Sequence, residues 1–317
     1  MKRIASTMLV LMMSGLCAAA GLGDYTGIAL PESPRAEAGK NNLSVMFMGV
    51  STLVFDDGET AIMTDGYFSR PSNISTTKIE PDRARIKQAL QRAGIKTLAA
   101  VIPLHSHFDH ALDSPVVAQE TGALLVGSRS TAFIGQGYGF PKDRTRVVAN
   151  GDTLTFGKFK VTFVVGAHLP ADFALGEITS PVSLPAKASD FKVGEAYALL
   201  IENEGRTILI NASAGFTPGS LTGRKADVVY IGIAGLGSQQ PDYQDGYWQE
   251  MAKGVGAKRV IPVHWDNFYR SLDEPLMPAA GFERSMGSIQ SRGKRDNVDV
   301  RFQAEWKWVD PFSGLPR

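Results

Sequence analysis

Four potential metal ligands fall within six residues at His105-Ser106-His107-Phe108-Asp109-His110, directly after the apolar run Thr97–Leu104. The chain's only other histidines, His168 and His264, each follow a β-type run of their own, ending at Val165 and Val263. All five imidazoles therefore look like ligands. Imidazole and carboxylate are donors that suit zinc-class metals, and a catalytic zinc needs three protein ligands plus an open position for water. Five histidines and Asp109 supply two such sites, but only in a fold that carries three strand ends to one place.

At 317 residues, with 44% hydrophobic and 21% charged side chains, the chain can bury a substantial core. A formal net charge of +1 without blocks of like charge gives no electrostatic footprint for nucleic acid or an anionic membrane surface. A small-molecule substrate is the expected partner. Oligomeric state is not legible.

The N-terminus differs from the rest. Lys2 and Arg3 precede an apolar run from Ile4 to Leu16 and the small residues Ala18-Ala19-Ala20, the layout of a signal peptide over residues 1–20. The run is shorter than the roughly 20 apolar residues that span a bilayer. Cleavage near Ala20, export to a periplasmic or extracellular space and no membrane span after processing are expected, with a retained anchor as the alternative. The single cysteine, Cys17, follows Leu16 where lipoprotein processing wants a small residue. A chain cleaved at Ala20 has no thiolate ligand, disulfide or cysteine nucleophile. Residues 21–42 are rich in Gly, Pro, Ala and charge and read as a tether, which leaves 43–317 as one domain.

Within that domain, Leu43–Gly49, Thr52–Phe55 and Ala61–Thr64 read as successive strands, the last two joined at Asp56-Asp57-Gly58. Pro81 opens a helix with Ile86, Ala89, Leu90 and Ala93 at helical spacing and Gly94 as its stop. The strand Thr97–Leu104 delivers the histidine cluster at its C-terminal end, where α/β sheets place ligand sites. A helix from Asp113 to Glu120, a strand Ala123–Val126 and a short helix Ser128–Ile134 follow. Two hairpins come next, Thr153–Phe156 with Phe159–Val165 and Tyr197–Glu202 with Thr207–Asn211. Between them, Ala171–Gly194 lacks periodicity and on length alone is a functional loop. Asp227–Ile233 and Arg259–Val263 are buried strands, the second leading into His264. Strands, helix and strand recur in two similar halves, which predicts an α/β protein of two sheets faced by helices.

Extended backbone points alternate residues the same way, so His105 and His107 can grip one ion while a sharper turn through Phe108 carries Asp109 and His110 to another. Two metals about 3.5–4 Å apart share a water whose pKa falls toward about 7, giving hydroxide as the nucleophile. Asp109 is the candidate to orient that water and accept its proton.

The HxHxDH cluster at His105–His110, the lone His168 and the terminal His264 together resemble the metallo-β-lactamase-fold superfamily of metal-dependent hydrolases, over most of residues 43–317. The resemblance implies an αββα sandwich with two mixed sheets flanked by helices and metals in a cleft at one edge. It implies a first metal on His105, His107 and His168 and a second on Asp109, His110 and His264. Zinc is the expected ion, one or two per chain, with iron and manganese as alternatives. Asp65, in Ile62-Met63-Thr64-Asp65-Gly66, resembles the family's early strand-end aspartate, which supports the site from behind. One departure stands out: most members carry a bridging aspartate after the strand matching Thr207–Asn211, whereas this chain reads Asn211-Ala212-Ser213-Ala214-Gly215. Ser213 is placed to reach a metal-bound water.

The expectation is an exported zinc-dependent hydrolase using a metal-bound hydroxide on a small carbonyl compound (lactone, ester or lactam) or a phosphodiester. A true class B β-lactamase and a non-catalytic metal-binding module are the alternatives. Tyr67, Phe108, Phe216, Trp265 and Phe268 are candidates to line the cleft, and Gly232–Gly237 reads as a close-packed loop near the metals.

Overall fold

In the computed structural model, which describes residues 22–40, 42–171 and 173–316, the apolar runs assemble into two sheets. The first half of the chain contributes β1 (Ser44–Phe47), β2 (Leu53–Asp56), β3 (Ala61–Thr64), α1 (Arg83–Arg92), β4 (Ala100–Ile102), α2 (Phe108–Ala111), α3 (Ser114–Thr121), β5 (Leu124–Gly127), α4 (Arg129–Gly137) and β6 (Thr145–Val147). The second half contributes β7 (Thr153–Phe156), β8 (Phe159–Val165), β9 (Tyr197–Asn203), β10 (Arg206–Asn211), β11 (Val228–Gly232), α5 (Pro241–Trp248), β12 (Arg259–Val263), α6 (Phe282–Asp296) and β13 (Asp299–Val300). A last strand, β14 (Trp308–Val309), returns to pair with β1.

The sheet orders are β14-β1-β2-β3-β4-β5-β6 and β13-β12-β11-β10-β9-β8-β7. Each sheet begins with antiparallel hairpins and continues with parallel strands, β3 through β6 in one and β10 through β13 in the other. Since β8 and β10 both run antiparallel to β9, they run the same way as each other. The chain segments after β8, β10, β11 and β12 therefore emerge at one edge of their sheet, and those after β3 and β4 at one edge of theirs. That shared polarity is what lets side chains distant in sequence meet.

One core runs through both sheets. Val45, Phe55 and Val101 of the first and Leu209, Tyr230 and Ile261 of the second belong to one buried cluster, and Phe55 meets Tyr230 edge-on at 6.1 Å across the interface. The helices cover the outer faces with apolar stripes. Ile86, Ala89 and Leu90 of α1 are buried, as are Phe282, Met286 and Ile289 of α6 at helical spacing. Local chemistry sets their ends: the Asp82 carboxylate accepts hydrogen bonds from the Ala84 and Arg85 amides at the start of α1, and Ser128 does the same for Thr131 in α4. Gly122 closes α3 in the left-handed conformation that suits glycine.

Several expectations change. Residues 22–40 do not hang from the domain as a tether but pack along it. Tyr25, Leu30 and Ala36 are buried, the Leu30 amide donates to the Phe302 carbonyl, and Arg35 pairs with Asp56. A few apolar anchors outweigh the Gly/Pro-rich composition. The strand preceding the histidine cluster is only Ala100–Ile102, because Pro103 lacks an amide for the ladder. The proposed signal peptide and Cys17 lie outside the described residues. Among the described residues, no helix is long and apolar enough to cross a membrane.

Candidate metal centre

Each half of the molecule delivers ligands at a strand end. The chain leaves β4, passes His105 and His107 in irregular backbone, and enters α2, where Asp109 and His110 occupy the first turn. A tight helical turn, rather than continued extension, separates the two pairs of donors. His168 arrives after β8 and His264 after β12. His105, His107 and His168 then place one ligand atom each within 4.8 Å of one another, and Asp109, His110 and His264 form a second such group. The groups abut, since the His105 and His110 ring centroids are 3.8 Å apart.

A cation explains nitrogens that nothing in the protein satisfies. His105 Nε2, His107 Nε2, His110 Nε2 and His264 Nδ1 are all buried without a hydrogen-bond partner. An unpaired buried polar atom costs about 1–3 kcal/mol, so three Nε2 atoms at one spot call for a ligand, while His264 turns its Nε2 to Asp109 at 3.3 Å. The tautomers agree. His168 Nδ1 lies 2.7 Å from the Leu169 carbonyl, which can only accept, so Nδ1 carries the proton and Nε2 keeps its lone pair. His110 Nδ1 lies 2.8 Å from Asp65 Oδ2, which likewise leaves Nε2 as the donor atom.

Electrostatics reinforce this. Burial, then the neighbouring imidazoles, push His105 well below the usual histidine range. Burial also lowers His107 and, with the His107 charge, brings His168 down to about 4. These rings are neutral at pH 7, the form that binds metal. Burial would lower His110 too, but the Asp65 and Asp109 carboxylates outweigh it and hold it up. Burial would raise Asp109, yet His110 and His264 together hold it below the ordinary carboxylate range. The site thus keeps one anionic donor among five imidazoles.

Asp65 sits behind His110 and is itself fixed. Its Oδ1 accepts from the Leu104 amide at 2.9 Å, its Oδ2 from the Ser51 hydroxyl at 2.5 Å, and its backbone carbonyl from Ser114 Oγ at 2.6 Å. Asp65 and His264 both adopt left-handed backbone, with φ of 53° each, as does Val50 at 51°. Such conformations are costly outside glycine and persist where surrounding contacts over-determine them. Here the His264 amide donates to the Val50 carbonyl at 2.5 Å, and the Val50 amide to Asp266 Oδ1 at 2.7 Å.

Ser213 has a structural role beside the one its position suggests. Its hydroxyl accepts from the Leu169 amide at 2.9 Å and so anchors the segment bearing His168. Asn211 Nδ2 donates to the Ser213 and Gly215 carbonyls at 2.6 and 3.0 Å. A Cβ on Gly215 would lie 2.2 Å from the His168 carbonyl carbon, so only glycine lets this turn run against His168. Where the sequence resemblance leads to the expectation of a bridging carboxylate, this chain carries a scaffold. Ser213→Ala is expected to cost about 1 kcal/mol of stability and to leave most of the bound metal, as read by thermal denaturation and elemental analysis.

Of the aromatic residues singled out from sequence, Tyr67, Phe108 and Phe268 gather at the site. Phe268 lies 5.5 Å from the His264 ring, and Phe108 lies 6.2 Å from both Tyr67 and Phe268. Trp265 is instead core, packed on Phe47 and Phe302, and Phe216 packs on Tyr243 and Tyr247. Two rim residues escaped the sequence reading, Phe173 at 5.8 Å from His107 and Tyr269 at 4.5 Å from Phe268. Nothing in an irregular loop marks which aromatic faces a site. The long segment that carries Phe173 walls the cleft, with Ile178, Val182, Ala186, Ala188 and Phe191 buried in one cluster with Tyr67 and Phe108. The glycine-rich loop after β11 is close-packed beside the His168 segment, since a Cβ on Gly235 would meet the Leu169 side chain at 2.7 Å.

No family model matches the sequence. A UPF0173 metal-dependent hydrolase of Chloroflexus aurantiacus is 27% identical over 192 residues, covering 60% of this chain and 70% of that protein. Among solved structures, a metallo hydrolase from the hyperthermophilic archaeon Ignicoccus hospitalis superposes with a TM-score of 0.51 at 16% identity, over 84% of this chain and 97% of the other. An isothiocyanate hydrolase from Delia radicum gut bacteria gives 0.52 at 14% identity, over 84% and 98%. The chain has the metallo-β-lactamase fold, and the proteins it resembles in sequence are named metal-dependent hydrolases.

Proposed function

We propose that the chain is an exported zinc-dependent hydrolase of a small carbonyl compound, an ester, lactone or lactam, with phosphodiesters as the second substrate class. The observation that carries the metal is the convergence of three unpartnered, buried imidazole Nε2 atoms, those of His105, His107 and His110, on two adjoining triads. The all-imidazole and carboxylate donor set suits zinc. Lys2, Arg3 and the apolar run to Ala20 support export.

His105, His107 and His168 would hold one divalent ion and Asp109, His110 and His264 a second; such a pair would polarise a substrate oxygen and lower the pKa of water toward about 7. Asp65 keeps His110 turned inward. Asp109, held anionic, orients the attacking water and takes its proton. As the new C–O bond forms and the bond to the leaving oxygen or nitrogen breaks, Asp109 returns that proton to the leaving atom. Phe108 and Phe268 keep the surroundings apolar, which strengthens each electrostatic contact.

Elemental analysis of the purified chain, with rates before and after chelation on a panel of esters, lactones, penicillins and phosphodiesters, tests the reading. Turnover of carbonyl substrates that disappears on chelation and returns with zinc is expected. Metal uptake without turnover would leave a binding module, and phosphodiester turnover alone would overturn the carbonyl preference.

A further inference from the structure

Large apolar side chains exposed beside a polar centre carry an unfavourable solvation free energy that folding alone does not require. Phe173 is 41% exposed and Tyr269 38% exposed, and they come from different loops, one after His168 and one after His264. Both reach the same ring, for Phe108 lies 6.4 Å from each, edge-on to Phe173 and nearly parallel to Tyr269. Phe108 itself is buried and forms the floor between them. An aromatic arc thus borders the metal centre, from Phe173 beside His107 to Phe268 beside His264.

The arc opens on one side. Phe173 also lines a cavity of about 360 Å³, in which Ile74 and Ala188 share the wall with the polar segment 75–78, Lys187 and Ser189. The loop wall is fixed rather than loose, because the Val193 amide donates to the Ala174 carbonyl, Ile178 to Ser130 Oγ, and Ile79 and Ala186 exchange backbone hydrogen bonds. Between the Phe173, Phe108 and Tyr269 rings lies a pre-formed apolar slot, which binds an apolar group without first having to order its walls.

We propose that Phe173 and Tyr269 determine specificity, by taking a medium-length apolar acyl group that runs from the metal centre over Phe108 and between their rings, its far end reaching the solvated mouth of this cavity. The position of the reacting carbonyl rests on the hydrolase reading; the apolar slot does not. Calorimetric titration of the zinc-loaded full chain with acetohydroxamate and octanohydroxamate measures the slot without turnover, because both probes present the same metal-binding head. Octanohydroxamate is expected to bind about thirtyfold more tightly, since each fully buried methylene contributes about fourfold and part of the chain stays solvated. Phe173→Ala and Tyr269→Ala should each cut that ratio to roughly fivefold or less with zinc content unchanged, and Phe173→Leu should restore most of it. Equal binding of the two probes, or a preference that survives both alanine substitutions, overturns the inference. If the preference is present and sensitive to Phe173 while no ester, lactone or lactam is hydrolysed, the slot stands and it is the hydrolase reading that fails.

Discussion

His105→Ala and His168→Ala are each expected to lower turnover by about three orders of magnitude or more, equivalent to about 4 kcal/mol in the barrier. Both residues donate to the same triad, and a zinc held by two protein ligands in place of three loses affinity and fixed geometry together. The fold should survive, because His105 Nε2 is an unpartnered buried nitrogen and His168 gives up a single hydrogen bond, to the adjacent Leu169 carbonyl. Circular dichroism of each variant checks this. Asp65→Ala, which removes the carboxylate 2.8 Å behind His110, should cost less, about 10–100-fold in metal affinity or rate. The comparison separates ligands from the groups that orient them. Retention of wild-type rate in either histidine variant would remove those residues from the site.

The largest loss of stability is expected from a pair that no sequence pattern advertises. Arg70 and Asp266 are both fully buried, with Arg70 Nη1 2.7 Å from Asp266 Oδ2 and Asp266 Oδ1 accepting from the Val50 amide at 2.7 Å. The 2.7 Å ion contact lacks the alignment of a hydrogen bond, and Arg70 Nε and Nη2 have no other partner. The guanidinium therefore depends on the Asp266 charge. Asp266→Ala leaves a buried cation uncompensated and is expected to destabilise the protein by about 3–5 kcal/mol in denaturant unfolding. The double substitution Arg70→Met with Asp266→Ala should lose markedly less than the sum of the two single changes, since it removes the stranded charge. The consequence reaches the site: Val50 bonds to both Asp266 and His264, so metal affinity should fall with stability. An Asp266→Ala protein as stable as the parent would show that this pair does not brace the His264 segment.

The parts of this structure legible in the sequence are those governed by short-range periodicity. The strands around Val54, Ile62 and Ile210 alternate with turn residues that fix their pairing, and five histidines placed after such runs point to one sheet edge. What was not legible depends on tertiary contact. Residues 22–40 are anchored by Tyr25, whose hydroxyl donates to Glu283 2.6 Å away, a partner 258 positions on. Helix α6 carries Phe282, Met286 and Ile289 at helical spacing, but its five glycine or serine residues obscure the pattern. The bond from the Leu169 amide to Ser213 is not legible, because proximity to the expected bridge position says nothing about which atom the hydroxyl meets. Phe173 and Tyr269 lie in loops without periodicity, and Arg70 with Asp266 are charged residues that composition places on the surface.

Zinc stoichiometry tests the convergence of the two triads most directly. Calorimetric titration of the metal-stripped chain is predicted to show two tight equivalents of zinc, and the His105→Ala/His168→Ala double variant one. Absence of tight uptake by the wild-type chain, or an unchanged stoichiometry in the double variant, would contradict the account.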